Sequence, residues 1–330
     1  MMPTPFRVFV SSDLMPAARA RLEASGAEVS YAASELGLED HCFASNAAAF
    51  DAVIVLLQHP VDAGVVARAT SLKVVSTISA GVDHIDLAAC EDRGILVTNT
   101  PDVLTEATAD FAFGLLLATA RRICEGDRLV RLGGFRGWKP GLLVGTAVHG
   151  KTLGIVGLGR IGRAVARRAR GFGIRVYYAQ RTRLSEAMER ALGARYVPVD
   201  GLFVESDFVS LHCPLTEETR GIASRARLLS MKPGSLLVNT SRGLCVDEAA
   251  LVEVLGRGPL AGAGLDVYAH EPEVPASLVA MQNVVLGPHI ASAEKETREA
   301  MAMMAVDNIV AAMQGREPPS RVCRSGTSDP

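Results

Sequence analysis

Short β-branched runs alternate with alanine-rich amphipathic stretches along almost the whole chain. The first series of strand candidates is Arg7–Ser11, Ala27–Tyr31, Ala52–Leu57, Lys73–Ile78 and Ile95–Asn99, with helical patterns such as Pro16–Ala24 and Asp62–Ala69 between them. A second series runs through Lys151–Val156, Arg175–Tyr178, Phe208–Leu211, Ser235–Val238, Ala261–Asp266 and Val284–Leu286. Strands spaced by helices of this length predict parallel sheets with crossover helices. The pattern predicts an α/β fold of two doubly wound parallel-sheet domains.

Two longer helical patterns punctuate the series. Leu104, Ala107, Phe111, Leu115 and Ala118 recur at helical spacing, which predicts one helix from about Leu104 to Cys124 that bridges the two sheets. A second, Ala293–Met313, is expected to cross back to the first unit. The expected organisation is therefore discontinuous: residues 1–101 plus 290–330 form one domain and residues 102–289 the other. Pro101 favours an extended preceding residue, which suits a hinge. From Arg316 onward the chain is rich in Pro, Ser and Gly and is expected to fray.

Composition narrows the partners. The 330 residues are 48% hydrophobic and 21% charged with a formal net charge of -2, typical of a compact protein. Nucleic acid and anionic membranes favour concentrated positive charge, so neither is expected as a partner. No uncharged apolar stretch approaches the roughly 20 residues that span a bilayer. The N-terminus turns directly into a strand-like run, with no signal peptide expected. Six cysteines (Cys42, Cys90, Cys124, Cys213, Cys245, Cys323) lack paired spacing. They read as reduced thiols in a cytoplasmic protein, with no metal-binding pattern.

The glycine-rich segment Gly157-Leu158-Gly159-Arg160-Ile161-Gly162 follows the apolar strand ending at Val156 and opens the helical run Ile161–Arg170. That context is what a dinucleotide-binding turn requires. Gly157 permits the tight turn, Gly159 lets backbone approach a pyrophosphate, and Gly162 allows close helix–strand packing. The helix N-terminus offers free N–H groups to the phosphates. An NAD site usually ends the next strand with an acid that holds the ribose 2′-hydroxyl. Here the segment reads Tyr177-Tyr178-Ala179-Gln180-Arg181-Thr182-Arg183, without an acid. Two arginines flanking a hydroxyl can cradle a 2′-phosphate. NADP(H) is the expected coenzyme and NAD(H) the alternative, with a solvated basic loop as the bland reading.

Three distant segments supply a hydride-transfer chemistry on a keto acid. His289, in Gly287-Pro288-His289-Ile290, is a titratable imidazole able to give and recover a proton. Glu271, in His270-Glu271-Pro272, is placed to tune and orient it. Arg242, just after the strand Ser235–Asn239, supplies a planar fork for a carboxylate and can polarise a keto oxygen. It falls at a strand's carboxyl end, where open α/β sheets bind ligands. Asp266 ends another apolar run and can accept a hydrogen bond from a nicotinamide carboxamide. His41, His59, His149 and His270 read as structural or exposed, and neither His84 nor His212 is given a proton-transfer role.

Together these motifs resemble the D-isomer-specific 2-hydroxyacid dehydrogenase family over nearly the whole chain. Asn99-Thr100-Pro101-Asp102-Val103-Leu104-Thr105 and Gly137-Trp138-Lys139-Pro140 are similar to its glyoxylate/hydroxypyruvate reductase branch, which includes 2-ketogluconate reductases. The resemblance implies a flavodoxin-like substrate domain and a Rossmann cofactor domain with an interdomain cleft. It makes Arg242, Glu271 and His289 catalytic. The turn Ser79-Ala80-Gly81-Val82-Asp83-His84 resembles the substrate loop, so Ala80 and Gly81 are expected to bind the carboxylate through backbone N–H groups, with Leu57 shaping the pocket. Thr108, His212, Cys213, Pro214, Thr240 and Asp266 match positions lining the coenzyme. A homodimer through the cofactor domains is implied, with Trp138 reaching toward the partner. The chain departs from the family's frequent acid after the second cofactor strand. Two other readings stay open: an NAD-linked relative acting on phosphoglycerate or lactate, and a dinucleotide-sensing protein without turnover.

Overall fold

The structure is a computed structural model that describes residues 5–32 and 49–322. His41, Cys42, Cys323 and the tail 324–330 lie outside the described residues. The chain divides into two compact units, one of Met1–Leu104 with Ala293–Pro330 and one of Thr105–Ser292.

The first unit holds β1 (Arg7–Val10), β2 (Glu28–Tyr31), β3 (Ala52–Val55), β4 (Val74–Thr77) and β5 (Leu96–Thr98). They form a parallel sheet in the order β2-β1-β3-β4-β5. Apolar side chains leave both faces, as a sheet covered on both sides requires. Val8 and Val10 pack with Ala302, Val306 and Ile309 of the helix Lys295–Met313, while Phe9 faces the opposite cluster around Val53 and Val97.

The segment after Arg316 is not frayed as far as Val322. Ser320 is buried, and its hydroxyl donates to the Asn99 carbonyl at 2.6 Å. The Asn308 amide donates to the Ser320 hydroxyl at 2.8 Å, and Arg321 bridges to Thr98. Val322 enters the core beside β5. Proline and serine composition signals a lack of local structure, and here tertiary hydrogen bonds supply the order instead.

The second unit holds β6 (Thr152–Val156), β7 (Arg175–Ala179), β8 (Ala194–Tyr196), β9 (Phe208–Leu211), β10 (Ser235–Asn239), β11 (Leu260–Leu265) and β12 (Val284–Leu286). The order is β12-β11-β10-β9-β6-β7-β8, all parallel. Edge strand β8 is missing from the sequence-based set, because Ala194-Arg195-Tyr196 carries no apolar or β-branched run to mark it, whereas the equally short β5 and β12 do.

The expected helix from Leu104 to Cys124 is two helices, Thr105–Ala120 and Ile123–Arg131. Arg122 adopts a left-handed conformation at φ 53° and clasps Glu125 through two hydrogen bonds, which turns the chain. The first helix is apolar nearly all round because it lies over the sheet and beside the helix Arg160–Gly171, burying Ala112, Phe113 and Leu116. The second buries nothing. No helix among the described residues is long and apolar enough to cross a membrane.

Candidate active site

In the second unit strand order reverses between β6 and β9, and ligands of such sheets bind outside the carboxyl ends at that point. The glycine-rich turn leaves β6 there. Gly157 sits at φ 92°, and a Cβ on it would lie 2.7 Å from the Cys213 nitrogen. A Cβ on Gly162 would lie 2.2 Å from the Gly157 carbonyl oxygen, so these two glycines let helix, turn and the loop after β9 close together. Gly159 instead opens onto empty space, directly before the helix Arg160–Gly171, whose first turn has no side-chain cap. Free N–H groups facing open space fit a pyrophosphate. Thr240, beyond β10, adds a buried hydroxyl with no hydrogen-bond partner among the described residues. That orphan polar atom also suits a bound dinucleotide.

Nearby, Thr108 is buried on the helix Thr105–Ala120 and Pro214 is exposed, its carbonyl accepting the Thr219 hydroxyl at 2.6 Å. The His212 ring pairs with the Ser210 hydroxyl at 2.8 Å. Burial pushes this imidazole down to about 4 although part of the residue meets solvent, so the ring is neutral near neutral pH. Leu158 is fully buried, Ile161 is half-buried, and Arg160 is exposed at the helix start.

The structure separates the two arginines after β7. Arg183 forks onto Glu189, Nε to Oε1 at 2.8 Å and Nη2 to Oε2 at 2.9 Å. Arg181 is exposed and makes no hydrogen bond or ion pair among the described residues. Thr182 offers its carbonyl to the Gln180 side chain at 2.6 Å.

Arg242, Glu271 and His289 all lie in this unit, and local geometry explains how Glu271 and His289 pair and how the Arg242 turn comes to the loop that carries Glu271. Beyond β10, Asn239 folds its own turn: its carboxamide nitrogen donates to the Arg242 carbonyl at 2.8 Å, and its oxygen accepts from the Ser241 N–H and hydroxyl. Arg242 Nη1 donates to the Ser241 carbonyl at 2.8 Å. The next residue, Gly243, permits the decisive approach, since a Cβ there would fall 1.8 Å from the Tyr268 carbonyl carbon. The Arg242 turn thus presses against the loop that carries Glu271.

Glu271 is gripped at both oxygens. Oε1 accepts the Tyr268 N–H at 3.0 Å, and Oε2 lies 2.7 Å from His289 Nδ1. Burial raises a carboxyl pKa, but here the hydrogen bonds and the charges of His289 and Arg242 outweigh it and hold Glu271 below its usual range. His289 is a third exposed and sits at φ 56°, and its Nε2 makes no hydrogen bond among the described residues.

Asp266 secures that unusual backbone. It is fully buried, and its two oxygens accept the N–H groups of Ile290 and Ala291 at 2.9 and 2.7 Å. Its carbonyl accepts the His289 N–H at 2.9 Å. Burial pushes the Asp266 carboxyl up, against the pull of the two backbone N–H groups. Tyr268 completes the frame by donating its hydroxyl to the Gly287 carbonyl at 2.9 Å. Asn239, Tyr268 and the loop-holding part of Asp266 escape a reading from sequence. Only the glycine at 243, next to a candidate arginine, hints at a close approach.

In the first unit, the Ala80–Gly81 turn is organised from its carbonyl side. Asn99 donates its amide to the Ala80 carbonyl at 2.8 Å, and the Ser79 hydroxyl donates to the Gly81 carbonyl at 2.7 Å. Thr77 backs the turn through Ser79 at 2.8 Å and His84 at 3.1 Å. The N–H groups of Ala80 and Gly81 donate to no acceptor among the described residues. Two fixed, unspent donors suit an anion. Leu57 is half-buried just past β3.

Comparison with known proteins agrees with this architecture. Residues 113–291 match the family model "D-isomer specific 2-hydroxyacid dehydrogenase, NAD binding domain". The glyoxylate reductase of Korarchaeum cryptofilum is 52% identical over 274 residues, 82% of each chain. That of Thermococcus litoralis is 49% identical over 276 residues, 82% of this chain and 83% of the relative. Among solved structures, a protein from Thermus thermophilus superposes with a TM-score of 0.89 at 46% identity, covering 96% of this chain and 100% of the other. An NADPH-dependent glyoxylate/hydroxypyruvate reductase from Sinorhizobium meliloti, solved with NADP and malonate, gives 0.86 at 33% identity and 99% coverage of both. The chain belongs to the D-isomer-specific 2-hydroxyacid dehydrogenase family.

Proposed function

We propose that the protein reduces a small 2-keto acid of the glyoxylate or hydroxypyruvate type to the D-2-hydroxy acid at the expense of NADPH. The observation that carries this reading is the pairing of Glu271 with His289 Nδ1 at 2.7 Å, with the Arg242 charge acting on the same carboxylate. Relatives named glyoxylate reductase, about half identical over four-fifths of the chain, support the substrate class. The coenzyme supplies a hydride when bound, and the side chains manage charge and protons. Arg242 holds the substrate carboxylate and polarises the keto oxygen. His289 gives a proton from Nε2 to the developing alkoxide. Glu271 fixes the tautomer by accepting from Nδ1–H and stabilises the charged ring. Ala80 and Gly81 offer backbone N–H groups to the carboxylate, and Leu57 lines its surroundings.

Gly157, Gly159 and Gly162, with Leu158, Arg160 and Ile161, form the pyrophosphate turn; Thr108, His212, Pro214 and Thr240 line the coenzyme. Asp266, fully buried with both oxygens on backbone N–H groups, supports the His289 turn rather than meeting the nicotinamide. The segment Arg181-Thr182-Arg183, with no acid where an NAD site carries one, supports NADPH over NADH. A homodimer through the second unit belongs to the same reading. Ile123, Val130, Leu132, Phe135, Trp138 and Val144 expose a run of large apolar side chains, Trp138 at 81%, more than a lone soluble surface usually carries.

The purified protein should oxidise NADPH with glyoxylate or hydroxypyruvate faster than with pyruvate or 2-ketogluconate, followed by absorbance. Tight NADPH binding without turnover of any of the four acids would refute the assignment.

A further inference from the structure

The residue directly after β7 stands where an NAD site places its acid, and here it is Gln180. Both ends of its carboxamide are committed. The oxygen accepts the Leu158 N–H of the glycine-rich turn at 3.0 Å, and the nitrogen donates to the Thr182 carbonyl at 2.6 Å. One neutral side chain thereby ties the pyrophosphate turn to the loop carrying the arginines. A carboxylate could take the Leu158 bond but has no N–H for Thr182.

Arg183 belongs to a second tie. Its fork is spent on Glu189, whose Oε1 also accepts the Tyr178 hydroxyl at 2.7 Å. That hydroxyl in turn accepts the Leu184 N–H at 3.0 Å, and the guanidinium lies 5.7 Å above the Tyr196 ring. The Glu189 side chain is only 12% exposed, and Tyr178 is fully buried. Arg183 is thus anchored back to the sheet. Arg181 has no such anchor, and its charge adds to the Thr216 hydroxyl and the backbone N–H that lower the Glu218 carboxyl.

We infer that coenzyme selectivity rests on a division of labour: Arg181 takes the ribose 2′-phosphate, while Gln180 and the Arg183–Glu189–Tyr178 cluster are positioning residues that hold the loop presenting it. The inference rests on the NADPH reading above and deepens it. Glu189 takes two of the five N–H groups of Arg183 and offsets its charge, so a phosphate there would meet a carboxylate alongside, whereas Arg181 offers a guanidinium that no described carboxylate pairs.

Calorimetric titration with 2′,5′-ADP and 5′-AMP tests it, because the two probes differ by the one phosphate. The wild type should prefer 2′,5′-ADP, and Arg181→Ala should cut that preference by about 10- to 100-fold. Glu189→Gln decides between roles. As a strut, Arg183 needs its carboxylate, so Glu189→Gln should weaken the preference in the same direction as Arg183→Ala, and the double variant should be no worse than either. If Arg183 is itself a phosphate ligand restrained by Glu189, releasing it tightens 2′,5′-ADP binding and overturns the division of labour while the NADPH reading stands. Equal binding of both probes by the wild type would overturn the NADPH reading and this inference with it. Tyr178→Phe, which removes one hydroxyl from the cluster, provides the same comparison if Glu189→Gln proves poorly folded.

Discussion

His289 Nδ1 and Glu271 Oε2 lie 2.7 Å apart although 18 residues separate them in the chain. Each is held from behind, Glu271 by the Tyr268 N–H and the His289 backbone by Asp266. The bond therefore tests whether Glu271 works on the substrate directly or through the imidazole.

If it works through the ring, removing His289 makes Glu271 irrelevant. His289→Ala should lower kcat with glyoxylate by about a hundred- to ten-thousand-fold. Glu271→Gln should lower it less, and the double variant should match His289→Ala alone. Steady-state kinetics at saturating NADPH gives all three values. Multiplying losses would mean that Glu271 acts independently.

Gly243 is predicted to be intolerant of even one methyl group. A Cβ 1.8 Å from the Tyr268 carbonyl carbon meets backbone rather than a movable side chain. Gly243→Ala should cost about 1–3 kcal/mol of stability through forced backbone displacement. It should also lower kcat by moving Arg242 away from Glu271. Thermal melting and kinetics of the one variant report both effects; an unchanged melting temperature would contradict the close approach.

The Arg183–Glu189 pair makes a pH prediction whose sign is fixed. Hydrogen bonds from Arg183 and Tyr178 hold the Glu189 carboxyl down to about 2, from an ordinary value of 4.5. A carboxyl depressed in the folded state stabilises it above the unfolded pKa, and that contribution is lost as pH falls toward the folded value. Wild type should therefore lose its stability advantage over Glu189→Gln between roughly pH 4.5 and pH 2. Melting curves of both proteins across that range check it, and parallel curves would count against the strut.

Assembly is predicted to depend on the exposed apolar run of the second unit. Val130 and Leu132 are 61% and 79% exposed. Replacing both with Glu should halve the mass measured by sedimentation, because buried charge disfavours an apolar contact. A wild type that already sediments as a single chain would remove the homodimer from the proposal.

The sequence by itself determined the alternating strands and helices, the glycine-rich turn and the residue types of the chemistry. Those signals are local: periodicity, turn glycines and the chemical identity of Arg242, Glu271 and His289. Some elements escaped it, as β8 and the left-handed Arg122 show, because Ala194-Arg195-Tyr196 has no apolar or β-branched run and one dihedral angle leaves no periodic trace. Tertiary structure alone decided that Gly243 presses against Tyr268, that Asp266 holds the His289 turn, and that Ser320 and Val322 are ordered against Asn99 and β5. It also assigned Arg183 to Glu189 and left Arg181 without an ion pair among the described residues, a distinction invisible in two arginines flanking one threonine. Each of these depends on which distant backbone groups folding brings within hydrogen-bond reach, and spacing along a chain does not encode that distance.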